Sequence, residues 1–174
     1  MQVRKAVTQR FKPSAKILSL MAEFKAMTNI CIEIGMQHNA ASLKRLSLLS
    51  YHELRSFHAP TYYRLCAISK AAGILASRRK SIRRGYPTKN PHLTRHVLNS
   101  CYGFKIADGK LRIPIGERRF EEIPLNKHTC EMISAESVVV DSFTVTEQSL
   151  SLNLKRDRGD IANLRRRRRR PQPR

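Results

Sequence analysis

The hydrophobic period changes twice along this chain, and that pattern restricts its fold more than any single residue does. Residues 3–12 alternate: Val3, Lys5, Val7, Gln9 and Phe11 fall on one side, Arg4, Ala6, Thr8, Arg10 and Lys12 on the other. That predicts a short strand whose second face is basic. Pro13 cannot donate to a continuing ladder, and Ser14 can cap a helix beginning at Ala15. From Ala15 to about Met36 the apolar residues Ile17, Leu20, Met21, Phe24, Met27, Cys31 and Ile34 recur at helical spacing, with Gly35 expected at the end. A second helix is predicted from Ser42 to Arg55 on the face Leu43, Leu46, Leu49, His52 and Leu54. A third starts at Ala59-Pro60-Thr61, presents Tyr62, Leu65, Cys66, Ser69, Ala72, Gly73 and Leu75, and runs on as the basic segment Ser77–Arg84 to a closing Gly85.

Past Pro87 and Pro91, which make residues 86–95 a linker, the period returns to two. A strand is predicted over Val97–Ile106, a tight turn at Asp108-Gly109 and a return strand over Lys110–Ile115. Phe120–Leu125 reads as another strand, Asn126–Ser134 as a helical turn or two, and Val138–Thr146 with Ser149–Lys155 as a second hairpin. The expected class is α+β: a small antiparallel β-barrel with a three-helix insertion after its first strand. The expected organisation is a first strand in residues 1–12, an inserted helical lobe in 13–95, the remaining strands in 96–156 and a disordered arginine-rich tail in 157–174.

Charge narrows the function. The net charge is +21, from 34 lysines and arginines against 13 acids. Without the seven arginines of residues 165–174, 27 cations still face those 13 acids, so the body is basic as well as the tail. A lysine-rich solvated surface is the plain alternative, but clustered arginines and scarce acids favour a polyanionic partner, RNA or DNA, whose condensed counterions are released on binding. No run of about 18 apolar residues suggests a membrane span, the first residues lack the apolar core of a signal peptide, and a cytoplasmic, nucleoid-associated location is expected. Cys31, Cys66, Cys101 and Cys130 form no C-x-x-C pair, so neither zinc nor a disulfide is expected.

The residues expected to touch nucleic acid fall in three groups. On the third helix, Arg78, Arg79, Lys80, Arg83 and Arg84 can track a phosphate groove, with Arg79 and Arg83 on one side; a solvated, dipole-favoured helix end is the plain reading. Near its start, Tyr62 beside Arg64 could stack on a base, with Lys70 further along; packing is the more usual role for at least one of Tyr62 and Tyr63. Arg10, Lys12, Lys105, Lys110 and Arg112 could form one basic barrel face, with Lys110 and Arg112 on a shared side. Catalytic and metal-binding residues are not expected. Residue 56 is serine, so His52-Glu53 does not extend to H-E-x-x-H. His92 and His96 lie in a linker, and Glu121 and Glu122 are adjacent, so a strand would point them to opposite faces.

Tyr62-Tyr63-Arg64-Leu65, Ala67-Ile68-Ser69-Lys70-Ala71-Ala72-Gly73, the Ser77–Arg84 run, Ser100-Cys101-Tyr102-Gly103-Phe104-Lys105-Ile106, Asp108–Pro114 and Ser142-Phe143-Thr144 occur in an order that resembles archaeal TnpB-type proteins. These are the transposon-encoded OrfB transposases, similar to type V CRISPR effectors. The resemblance spans roughly residues 3–156. It implies a wedge-type barrel interrupted by a helical recognition lobe, a guide-type RNA partner and a DNA target, followed by a RuvC-like nuclease domain with divalent metal and a zinc ribbon. Where that family has the strand with its first catalytic aspartate, this sequence has Asp157-Arg158-Gly159-Asp160-Ile161-Ala162-Asn163-Leu164 and six consecutive arginines. The expectation is therefore a copy truncated before the nuclease domain, its tail read out of frame, which binds RNA and DNA without cutting. An independent small basic RNA-binding protein of ribosomal or nucleocapsid type is the alternative; association with an intact copy that supplies the missing parts is a third reading.

Overall fold

The computed structural model describes residues 2–135 and 137–157; of the tail expected to be disordered, Asp157 instead ends the last strand, and residues 158–174 lie outside the described residues. Strand β1 (Gln2–Arg10) is followed by helix α1 (Ala15–Gln37), α2 (Leu43–Ser50), a 3-10 turn (Glu53–Ser56) and α3 (Thr61–Arg83). Then come β2 (Val97–Ser100), β3 (Lys105–Ala107), β4 (Lys110–Gly116), β5 (Arg119–Pro124), α4 (Lys127–Ile133), β6 (Val138–Thr146) and β7 (Ser149–Asp157). The class is α+β. All strand pairs are antiparallel and form two sheets, one ordered β1-β7-β6-β2 and one ordered β3-β4-β5.

The first strand pairs with the last along its whole length, from Gln2 opposite Asp157 to Arg10 opposite Ser149. Alternation sends Val7 and Gln9 inward from β1 to meet Leu150, Leu152 and Leu154 of β7. Leu111, Ile113 and Ile123 of the smaller sheet join the same buried cluster, and Ile17, Phe24, Ala67 and Ile68 extend it into the helices. Each such Ile, Leu or Phe withdrawn from water contributes about 1.5–3 kcal/mol, and one continuous core therefore ties the helical insertion to both sheets.

Several expectations meet local physics that the sequence did not display. The strand expected over Val97–Ile106 is two strands, because the chain bends at 101–104, where Gly103 has φ +75°. That bend carries the backbone from one sheet to the other. The expected single barrel is accordingly two open sheets: among the described residues no ladder joins β2 to β3 or β1 to β5. At the second seam a side chain substitutes for a ladder. The Gln9 amide donates from Nε2 to the Pro124 carbonyl (2.9 Å) and accepts through Oε1 from the Asn126 N–H (3.0 Å).

The second helix stops at Ser50 rather than Arg55, leaving Leu43 and His52 exposed while Leu46 and Leu54 are buried. Gly35 does not end α1. It lies inside the helix, where a Cβ would meet the Leu75 side chain and come within 2.8 Å of the Ala40 carbonyl oxygen; the glycine permits α3 to approach. Asn39, with φ +48°, is the left-handed residue just beyond α1. The buried face of α3 keeps Cys66, Ala72 and Leu75 of the one expected and widens to Tyr63, Ala67, Ile68 and Ala71, whereas Leu65, Ser69 and Gly73 are exposed. This helix packs against α1 and β2 at once, so a wide face is covered.

The caps and turns obey the local signals. Ser14 accepts from the Ile17 N–H at 3.3 Å, Ser42 from Arg45, and Asn126 from Thr129 at 2.8 Å. Gly85 (φ +80°) closes α3 with Gly85 N–H to Ile82 O (2.9 Å) and Tyr86 N–H to Ser81 O (3.1 Å), both bonds of a Schellman end. Asp108 and Gly109 turn the β3–β4 hairpin with φ +52° and +68°.

Candidate nucleic-acid interface

Leu111, Ile113 and Ile123 point into the core, so the intervening residues of the three-stranded sheet point out. Across its ladders Arg112 lies opposite Lys105 on β3 and Glu122 on β5, and Pro114 lies opposite Phe120. One outer face thus carries Lys105, Lys110, Arg112, Phe120 and Glu122, with Lys110 and Arg112 on a shared side as the alternation indicated. Glu122 divides its carboxylate between two cations, receiving Lys110 Nζ at 2.7 Å and Arg112 Nε at 2.9 Å. The hydrogen bond from Lys110, then its charge and that of Arg112, hold the Glu122 carboxyl below the usual carboxylate range. Three cations against one carboxylate leave the face positive.

The start of α3 is fastened to the edge of that face. Tyr63 is fully buried and its hydroxyl donates to the Pro114 carbonyl on β4 at 2.9 Å. Burial, first, and the neighbouring Tyr62 and Cys66 push the hydroxyl's pKa up, so it remains a donor. Tyr62 is half-buried, its ring edge-on to Tyr63 with centroids 5.5 Å apart. The ring also covers Gly103, where a Cβ would stand 2.8 Å from two of its carbons. Of the tyrosine pair, Tyr63 is the packing residue and Tyr62 borders the basic sheet. Arg64 is half-buried, donates to the Phe57 carbonyl at 2.7 Å, and keeps its Nε buried without an acceptor among the described residues. Lys70 is half-buried further along α3.

The other candidates lie elsewhere. The end of α3 is twenty residues from Tyr63, about 30 Å along the helix axis. There Arg78 donates to the Lys89 carbonyl and the Asn90 side chain, both at 3.4 Å. Arg79 donates to the carbonyl and side-chain oxygens of Asn39 at the end of α1. These two arginines thus contact neighbouring segments of the fold, and Lys80, Arg83 and Arg84 are exposed beside them.

Arg10 is on the outer face of the four-stranded sheet, with Lys12 exposed just beyond it. Lys105, Lys110 and Arg112 are on the other sheet, so the single basic barrel face that was expected divides in two at the bend of residues 101–104. The middle of the larger sheet's outer face is uncharged: Thr8 bonds Ser151 at 2.9 Å and Asn153 bonds Ser142 at 2.9 Å. Its cations stand at the rim, where Arg4 pairs with Asp141 at 3.6 Å.

Phe120 escaped the sequence reading. It is 43% exposed on the polar half of β5, and its only signal is an aromatic residue in the alternation that Glu122 and Pro124 continue. Arg118 escaped too, since Glu117 and Arg118 make the β4–β5 turn with φ +49° and +59° but neither is a turn-forming residue type. Among the described residues no three His, Cys, Asp or Glu side chains gather as a metal site would require, and the four cysteines are free thiols. No helix among them is long and apolar enough to cross a membrane. No protein-family model matches the sequence, and no curated protein matches it.

Proposed function

We propose that this chain is a nucleic-acid-binding part of a TnpB-like, RNA-guided DNA endonuclease, and that it grips guide-type RNA and target DNA without cutting. The observation that carries the binding is the outer face of the three-stranded sheet, where Lys105, Lys110 and Arg112 stand in register beside Tyr62 and Phe120. Cations on a rigid ladder meet successive phosphates without first being ordered, and aromatic rings at the rim offer stacking surfaces. The two sheets are read as the halves of a wedge-type barrel. The shared core and the Gln9 bridge at the open seam support that reading, as does the insertion of three helices directly after β1. The exposed patch of Lys80, Arg83 and Arg84 is a second phosphate contact in this proposal, on the helical lobe.

The non-cutting half of the proposal rests on sequence. Two-metal phosphodiester chemistry needs several carboxylates from separate elements around the ions, and the acids of this sequence are scattered or, like Glu122, engaged by cations. A location among nucleic acids in the cytoplasm, and association with an intact copy, are parts of the same proposal.

Filter retention of RNA and duplex DNA by the full chain is the direct test. Retention that weakens steeply with salt is expected, and failure to retain either at moderate ionic strength refutes the binding. Guide-dependent cleavage with added magnesium by this chain alone refutes the non-cutting half.

A further inference from the structure

A cleft of about 430 Å³ lies where the start of α3 meets the β4–β5 turn, lined by Tyr62, Arg64, Arg118, Arg119 and Phe120 among others. A second cleft, of about 250 Å³, adjoins it along α1 and adds Lys16 and Glu23. They share His58, Ala59 and Arg119, so the two clefts lie side by side as a groove at the rim of the three-stranded sheet. This volume lies within the range of small-ligand sites and is too small for a double helix.

The groove is cationic. Lys16, Arg64, Arg118 and Arg119 face two carboxylates, and both carboxylates are engaged: Glu23 accepts from the Ala59 N–H at 2.9 Å, and Glu117 pairs with Arg119. Arg118 forms no ion pair among the described residues, and Arg64 brings a buried Nε with no acceptor. The turn that presents Arg118 places two consecutive non-glycine residues at positive φ, a conformation that side chains disfavour. The turn is therefore strained where it displays its arginine.

Phe120 forms one wall and is continuous with the basic sheet face, since it sits on the same side of β5 as Glu122, two residues or about 7 Å away along the strand. That step is one nucleotide of an extended strand. A phosphate lying on Arg112 would leave the next base beside Phe120 and Tyr62. We infer that the groove takes one unpaired nucleotide of a strand whose backbone lies across the three-stranded sheet, with the base against Phe120 and its phosphate on Arg118 and Arg64. This rests on the nucleic-acid reading above and adds a preference for a junction between paired and unpaired segments. Every base has an aromatic face, so the site carries little base identity.

The test uses the full chain and two fluorescent RNA hairpins, one blunt and one with a short single-stranded tail, measured by anisotropy at fixed salt. The chain should bind the tailed hairpin about tenfold more tightly, the scale of one base stacked on an aromatic ring. Phe120→Ala should abolish that preference, Phe120→Tyr should retain it, and Arg118→Ala should reduce it. 2-Aminopurine in the tail should be quenched by the parent chain and not by F120A. Because Phe120 is partly exposed, thermal unfolding of F120A should match the parent. Equal binding of both hairpins, or a tail preference that survives F120A, overturns the groove assignment alone. Binding of neither hairpin overturns the nucleic-acid reading beneath it.

Discussion

Glu122 is the one group on the proposed interface whose removal should strengthen binding. Its carboxylate occupies Lys110 and Arg112 together at 2.7 and 2.9 Å, so a phosphate must compete with it for both. Glu122→Gln removes one negative charge from a face with three cations and leaves an amide of nearly the same shape. If the two released cations engage one further phosphate of a duplex, the slope of log K against log salt should steepen by about 0.9. Extrapolated from a 1 M reference, that slope makes binding about eightfold tighter at 0.1 M salt. Arg112→Gln should move both quantities the other way. The fold should not register the change, because an exposed ion pair stabilises little.

Acid should imitate the mutation. The Glu122 pKa is lowered in the folded state, so its pairing stabilises the fold above the unfolded carboxyl's pKa and is lost as pH falls through the lower folded value. Binding by the parent chain should therefore rise toward that of E122Q in acid, with a difference that is full at neutral pH and vanishes below the folded pKa. Anisotropy titrations of one duplex at four salt concentrations and two pH values suffice. An unchanged slope and affinity for E122Q at neutral pH would show that the phosphate backbone does not lie on this sheet.

Three further substitutions test the scaffold and the second patch. Tyr63→Phe leaves the Pro114 carbonyl without its donor in a buried place, which should cost about 1–3 kcal/mol in denaturant unfolding; an unchanged midpoint would mean that α3 is not fastened to β4 there. Gly35→Ala puts a Cβ against Leu75 and the Ala40 carbonyl, and overpacking of this kind should destabilise by about 1–3 kcal/mol, or roughly 2–4 °C in Tm for each kcal/mol; no loss would place α3 further from α1. Replacing Lys80, Arg83 and Arg84 by alanine should reduce the salt slope by up to about 2.7 with the hairpin-tail preference intact, and loss of that preference would contradict the separation of the two patches.

The local grammar of the chain was legible. Ser14, Ser42 and Asn126 announce helix starts because their side chains satisfy N–H groups a few residues away, and Asp108-Gly109 announces a hairpin because both residues tolerate positive φ. Period-two alternation assigned Lys110 and Arg112 to one face, since a pleated strand leaves no other arrangement.

Through-space events escaped. The bend at Cys101–Phe104 hides inside an apparently continuous strand, and it sends Arg10 and Arg112 to different sheets. Arg78 and Arg79 look like phosphate ligands on a helical wheel, yet they meet acceptors on Asn39, Lys89 and Asn90 that lie 11 to 40 residues away in sequence. The same holds for Gly35, whose reason is Leu75, and for Phe120, whose place in a groove depends on α3 arriving over the β4–β5 turn. Alternation and capping act between neighbours in the chain, so the sequence settled most of the elements and the sign of the charge. Side-chain partners and grooves arise between segments brought together by packing, and the tertiary structure alone decided those.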